Sequence, residues 1–117
     1  MTLKFSKMIL ALAATTLVAG SVHAAEMLAA ENGMTLYVFD KDTGGTPTCY
    51  KDCAAMWPAY AAKEGATMKK DWTMVKRTDG TLQWAYDGKP LYFFAKDAKK
   101  GDKVGDGMGG VWHVIVE

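Results

Sequence analysis

Short apolar segments alternate along this chain with turn-forming residues. Asn32-Gly33 and Asp87-Gly88 each separate two apolar segments, and both dipeptides tolerate the positive φ angles of tight primed turns. Side chains alternate across a strand, so Tyr37 and Phe39 are expected to share one face. The pattern predicts six strands, at residues 25–30, 34–39, 73–77, 81–86, 91–94 and 111–116.

One segment has helical character. Residues 51–57 have helical residue types over about two turns, and Pro58 ends the predicted helix, because proline disfavours helical backbone in the residue before it. Residues 99–110 hold five glycines among lysines and aspartates, which is typical of a long loop. We therefore expect a mainly β fold, a small antiparallel β domain of about six strands with one short helix.

The strand pattern occurs twice, 55 residues apart. Residues 32–42 align without a gap on residues 87–97, and the same offset relates Trp57 to Trp112. A constant offset over about 26 residues indicates a duplicated supersecondary unit, whose two copies we expect to pair as halves of one domain. The expected boundaries are repeat one at about 26–60, a linker at about 61–72 and repeat two at about 81–117.

The first 24 residues have the features of a signal peptide. Lys4 and Lys7 precede an apolar run, and Val22-His23-Ala24 offers the small-x-small pattern that signal peptidase accepts. We expect cleavage near Ala24, which leaves 25–117 as a single β-rich domain in the periplasm or the medium. No later segment approaches 18 apolar residues, and no cysteine sits at the end of the signal region to accept a lipid, so neither a transmembrane segment nor a lipid anchor is expected.

The net charge of the chain without its leader limits the classes of binding partner that are expected. Removing residues 1–24 takes two of the 14 basic side chains and none of the 13 acidic ones, which leaves a formal charge of −1. Nucleic acid is not expected as a partner, because affinity for phosphates comes from clustered lysine and arginine. The partner classes that remain are an envelope protein and a small ligand. The protein is expected to be a monomer.

Two short motifs point to a known family. Residues 37–42 and 92–97 both fit Tyr-x-aromatic-x-x-Asp, and they occur with a Cys-containing segment at 48–58 and a Gly-Gly-Val-Trp-His-Val segment at 109–114. Together these resemble the bacterial secreted-repeat family of unknown function, described as predicted lipoproteins with a conserved Yx(FWY)xxD motif. The resemblance implies export and a two-repeat architecture; it does not imply an activity.

The Tyr-x-aromatic-x-x-Asp unit has two interpretations. In the structural one, the tyrosine and the aromatic residue pack in the core, and the aspartate accepts backbone N–H bonds just beyond the strand. In the functional one, the duplicated residues line a ligand groove between the halves, namely Tyr37, Asp42, Tyr92 and Asp97.

Cys49 and Cys53 are the two cysteines of the chain. In an exported protein we expect them to form a disulfide, with free or metal-bound thiols as the alternative. Closing so small a loop stabilises by only about 2 kcal/mol in the chain-entropy model, so the bond is expected to fix the loop to the helix rather than hold the fold.

A metal or haem site is the main alternative to a purely structural interpretation of the remaining residues. His113, Met108 and the two cysteines together offer donors that suit copper, and histidine with methionine suits haem iron. Otherwise His113 is an ordinary residue of the last strand and Met108 fills a gap. A loose calcium site at 40–45 is a further alternative.

No catalytic motif is evident after the leader. There is no G-x-S-x-G, and residues 25–117 contain no serine. We therefore expect a non-catalytic binding or interaction module of the cell envelope. A periplasmic copper- or haem-binding redox protein that uses His113 with Met108 or the cysteines is the second hypothesis, and a structural stress-protective protein is the third.

Overall fold

The computed structural model describes residues 26–116, and the predicted signal peptide at 1–24 lies outside that range. Among the described residues no helix is long and apolar enough to cross a membrane. The predicted fold class, mainly β with one short helix, is confirmed. In chain order the elements are β1 (Tyr37–Phe39), α1 (Asp52–Met56), β2 (Ala61–Ala62), β3 (Trp72–Lys76), β4 (Leu82–Tyr86), β5 (Lys89–Pro90) and β6 (Trp112–Val114).

The strands form two antiparallel sheets. β1 pairs with β6 in one sheet, and β4 is central in the other, with β2 and β3 on its two sides and β5 paired to its end. Two predicted strands are reduced to isolated bridges, and the predicted strands 34–39 and 111–116 are shortened to β1 and β6. Residues 25–30 contribute single bridges at Met27 and Ala29, and 91–94 contribute one residue, Tyr92, that bridges to Tyr37 and to Ala59.

The strands that carry the duplicated tyrosines pair between the two repeats. Tyr37 of repeat one lies opposite Val114 of repeat two, and its counterpart Tyr92 lies opposite Ala59 of repeat one. Between these two contacts, Tyr37 and Tyr92 exchange backbone hydrogen bonds of 2.8 and 2.9 Å. A pseudo-twofold axis therefore passes between the two tyrosines.

The two glycine turns that sequence predicts to be alike differ in the structure. Asp87 and Gly88 have φ values of 51° and 77°, as a two-residue primed turn requires. At Asn32-Gly33 only Gly33 has positive φ, at 85°, and Ala30 N–H bonds to the carbonyl of Met34 across three loop residues. The prediction of a primed turn at Asn32-Gly33 is wrong, because the Asn32 side chain accepts a bond from Met34 N–H and this favours the longer loop.

The core between the repeats is a stack of four aromatic rings. Trp57 and Trp112 lie face to face with centroids 3.8 Å apart, Phe39 stacks on the outer face of Trp112 at 4.1 Å, and Phe94 stacks on Trp57 at 4.2 Å. The rings come alternately from the two repeats. Since aromatic pairs stabilise by about 0.5–1.5 kcal/mol beyond their buried area, this stack binds one repeat to the other.

Candidate functional site

The duplicated tyrosines and aspartates form hydrogen bonds that cross between the repeats. The Tyr37 hydroxyl of repeat one donates to the carboxylate of Asp97 in repeat two at 2.7 Å, and the Tyr92 hydroxyl of repeat two donates to Asp42 of repeat one at 2.7 Å. Both tyrosines are 0% exposed, Asp97 is buried and Asp42 is half-buried. The predicted groove residues are therefore paired in the interior.

The second carboxylate oxygen of each aspartate accepts hydrogen bonds from the loop that follows it in the chain. Asp42 accepts bonds from the N–H and the hydroxyl of Thr48, and Asp97 accepts one from the N–H of Val104. Burial raises the pKa of the Tyr37 hydroxyl well above its usual value, and the bond to Asp97 adds to the effect. The pKa of Tyr92 is raised by burial and by Asp42 in the same way. Both tyrosines stay neutral donors at physiological pH.

The disulfide between Cys49 and Cys53 is present, as predicted. Its loop is held by Arg77, which is only 6% exposed and donates at 2.6 Å to the Cys49 carbonyl and at 2.6 Å to the Gln83 side chain. The guanidinium also lies 4.2 Å from the centroid of the Tyr50 ring. A buried cation stabilised by a carbonyl, an amide and an aromatic face joins the disulfide loop to β4.

The predicted metal donors do not converge. His113 Nε2 lies 2.8 Å from a carboxylate oxygen of Asp40 on an exposed surface, and the cysteines are bonded to each other. Met108 begins a short 3-10 turn and is 44% exposed. Within residues 26–116, including the 40–45 loop, no group of three or more histidine, cysteine, aspartate or glutamate side chains could hold a metal ion.

A cavity lined by aromatic rings lies outside the symmetric core, and we call it the aromatic pocket. Its volume is about 220 Å³. Its walls are the half-buried rings of Tyr60, Trp72 and Trp84. The remaining lining residues are Ala29, Ala30, Glu31, Thr67 and Lys69.

The pairing of β3 with β4 explains the position of the rings. Trp72 lies opposite Tyr86 and Met74 lies opposite Trp84, so all four side chains are on one face of this sheet. The Trp72 and Trp84 rings are perpendicular, with centroids 5.7 Å apart. The Tyr60 ring, just before β2, lies 6.4 Å from each of them. The three rings form a corner whose open side is the cavity.

The aromatic rings of the pocket have no symmetric counterparts in residues 26–116. In the 55-residue offset Trp84 corresponds to Ala29 and Tyr60 corresponds to Ile115. Trp72, Thr67 and Lys69 belong to the segment that joins the repeats. Aliphatic residues at the symmetric positions cannot build a second aromatic corner, so the pocket is a departure from the symmetry.

The open edge of the pocket continues into a second depression, which we call the adjoining cleft. It has a volume of about 420 Å³ and shares Ala30, Glu31, Tyr60 and Trp84 with the pocket. Its further lining residues are Asn32, Ala61, Lys63 and Ala66. Glu31, Lys63 and Lys69 are thus the ionised side chains around the combined opening.

The fold and its disulfide define a small two-repeat β protein of the kind found in oxidising compartments. A family model described as a secreted repeat of unknown function matches residues 24–61 and again residues 73–116. The chain belongs to this family, and the resemblance seen in the sequence is confirmed. No curated protein and no solved structure shows significant similarity to it.

The aromatic pocket was not predicted from the sequence. Trp72 and Thr67 lie in the segment between the two family matches, outside the duplicated motif. A usable signal was present in the alignment of the repeats. Trp84 and Tyr60 are large aromatic residues whose counterparts are aliphatic, and a duplicated scaffold does not require them.

Proposed function

We propose that this protein is a non-catalytic binding module of the periplasm or the extracellular medium, and that the aromatic pocket is its ligand site. The observation that carries the proposal is the corner of three partly exposed rings around an open cavity. Membership of a secreted family and a disulfide support the location.

The pocket has the composition of a ligand site. Such sites are concave and mostly apolar, with a few polar groups at defined places. Here the aromatic and alanine walls supply the apolar part, while Glu31, Thr67 and Lys69 supply the polar groups. The cavity of about 220 Å³ is smaller than the roughly 300–1,000 Å³ of drug-sized sites, so it suits a ligand of one ring.

The rings of the pocket pack against a second apolar cluster, and each keeps part of its surface exposed; the buried members of this cluster are Leu28, Ala30, Leu36 and Leu91. Two tryptophans, Trp57 and Trp112, already stack within the core, and the other two, Trp72 and Trp84, remain half-buried at the surface. Large rings that are partly exposed and grouped on one face are typical of interaction sites.

The crossed Tyr–Asp pairs fit a supporting role. Their hydroxyls and carboxylates satisfy one another and the neighbouring loops. We assign them to holding the repeats together, so that the joining segment and the tip at Ala30 and Glu31 meet at the pocket.

The test is ligand-observed NMR with single-ring compounds on the oxidised protein without its leader. Saturation-transfer spectra are recorded for benzoate, benzamide, glucuronate and methyl glucoside. The variant Ala29→Leu places a branched side chain in the cavity and leaves all three aromatic rings unchanged, because Ala29 is an exposed residue of the pocket wall. The matched control is Val104→Thr, an isosteric change at a residue that is 60% exposed and does not line the pocket.

The proposal predicts that at least one compound binds the protein, that Ala29→Leu abolishes the signal and that Val104→Thr preserves it. Binding that persists in Ala29→Leu would place the ligand elsewhere and refute the site. No signal from any of the four compounds would refute a small-ring binding function.

A further inference from the structure

We infer that the ligand of the aromatic pocket is a compact ring that carries a negative charge, such as a carboxylate on an aromatic or a sugar ring. This inference rests on the proposed function and adds the chemical class of the ligand. Its basis is the charge around the opening.

Two lysines of the segment that joins the repeats line the opening. Lys69 lines the aromatic pocket and Lys63 lines the adjoining cleft. Glu31 is the one acidic side chain that lines either cavity, so the local balance is positive.

These lysines are not neutralised by close partners. The one pair of a basic side chain and a carboxylate within 4.0 Å in residues 26–116 joins His113 to Asp40, which line neither cavity. Lys63 and Lys69 are exposed and free to reorient towards a bound anion. A ligand carboxylate at the opening therefore gains two ammonium neighbours and displaces no existing ion pair.

The aromatic walls select the ring and the lysines select its charge. A ring that lies against Trp72 or Trp84 buries apolar surface, and its substituent then projects towards Lys69 and Lys63 at the opening. A quaternary ammonium ligand also favours aromatic walls, through cation–π attraction, but it requires a negative or neutral surrounding. The lysines repel such a ligand, so the charge balance decides against it.

The size of the charge effect is modest because the lysines are in contact with water. Exposed ion pairs are weak, so two of them give a preference of about 3- to 30-fold for the anion over a neutral ring of the same shape. The preference must weaken as salt is added, since the screening length shortens from about 10 Å at 0.1 M to about 3 Å at 1 M.

The experiment measures dissociation constants by NMR titration of the oxidised protein at low salt. Benzoate is compared with benzamide and with phenyltrimethylammonium, and glucuronate is compared with methyl glucoside. The first comparison tests an aromatic acid and the second tests a sugar acid. Lys69→Gln removes one charge at the pocket, and Lys103→Gln is the matched control, because Lys103 lines neither cavity.

We expect at least one acid to bind about 3- to 30-fold more tightly than its neutral partner. Lys69→Gln should weaken that acid about 3- to 5-fold and leave the neutral ring unchanged, while Lys103→Gln should change neither. Equal or tighter binding of a neutral ring or of phenyltrimethylammonium, still abolished by Ala29→Leu, overturns the anionic class and leaves the binding site standing. Failure of every probe to bind overturns both.

Discussion

The crossed Tyr–Asp pairs provide an internal control for measuring what one buried hydroxyl contributes. Tyr37→Phe and Tyr92→Phe each remove one oxygen and keep the ring in the core. Without the Tyr37 hydroxyl, buried Asp97 loses a bond of 2.7 Å and the N–H of buried Gly105 loses its acceptor at 3.2 Å. Without the Tyr92 hydroxyl, Asp42 loses one bond but is half-exposed and keeps two bonds from Thr48, while the N–H of buried Cys49 loses its contact with that hydroxyl.

The two substitutions should therefore differ in cost. A hydrogen bond to a charged group is worth about 1.5–3 kcal/mol, and a buried donor left without a partner costs about 1–3 kcal/mol. We expect Tyr37→Phe to lower the free energy of unfolding by about 3 kcal/mol. Because water can reach Asp42 but not the N–H of buried Cys49, Tyr92→Phe should cost about 2 kcal/mol. In a domain of this size a difference of about 1 kcal/mol corresponds to roughly 4–8 °C in the melting temperature.

The assay is urea unfolding of the oxidised protein at pH 7, followed by tryptophan fluorescence and near-UV circular dichroism. Equal slopes for wild type and variants show that each variant unfolds from the same compact state. The reasoning is refuted if Tyr92→Phe costs as much as Tyr37→Phe, or if neither change exceeds about 0.5 kcal/mol. The second result would mean that the crossed bonds contribute nothing beyond ring packing.

Three further changes test other parts of the fold. Gly105→Ala should cost about 1–3 kcal/mol in the same urea assay, because a Cβ there would lie 2.5 Å from the Trp57 ring; an unaffected midpoint would contradict this packing. Lys51→Gly should stabilise by roughly 1 kcal/mol, because φ 56° and ψ −121° strain any residue with a Cβ, and a lower midpoint would contradict the strain. Above pH 10 the free energy of unfolding should fall, because folding raises the pKa values of Tyr37 and Tyr92, which therefore keep protons that the unfolded chain loses. The urea midpoint should fall less steeply between pH 9 and 11 in the Tyr37→Phe/Tyr92→Phe double variant than in the wild type. Equal slopes would refute this.

Local features of the structure were predictable from the sequence. The primed turn at Asp87-Gly88, the end of the helix before Pro58 and the disulfide between Cys49 and Cys53 depend on residues close together in the chain. The error at Asn32-Gly33 is also local. An asparagine side chain bonded two residues onward lengthened the loop, and residue type alone does not distinguish that loop from a primed turn.

The partners of the duplicated residues could not be predicted. A repeat motif with Tyr37 five residues before Asp42 suggests that each unit is self-contained, yet Tyr37 bonds to Asp97 across the pseudo-twofold axis. Tyr–Asp bonds between the repeats and Tyr–Asp bonds within each repeat are equally compatible with the hydrophobic pattern. The two arrangements differ only in which chain segments lie close together, and this depends on long-range packing.

The aromatic pocket shows the same limit for function. Tyr60, Trp72 and Trp84 are far apart in sequence and belong to no motif, so only the pairing of β4 with β2 and β3 brings their rings together. Lys63 and Lys69 resemble an ordinary charged linker until that linker is placed beside the rings.

The sequence by itself determined the fold class, the duplication, the disulfide and the family, because each depends on residue order and local backbone preference. The tertiary structure decided that the repeats exchange their strands and their Tyr–Asp bonds, and that the joining segment closes an aromatic corner on one side only. The physical reason is that burial and pairing act between residues distant in sequence. The two repeats therefore share the aromatic stack, and the proposed binding site lies where the two repeats differ.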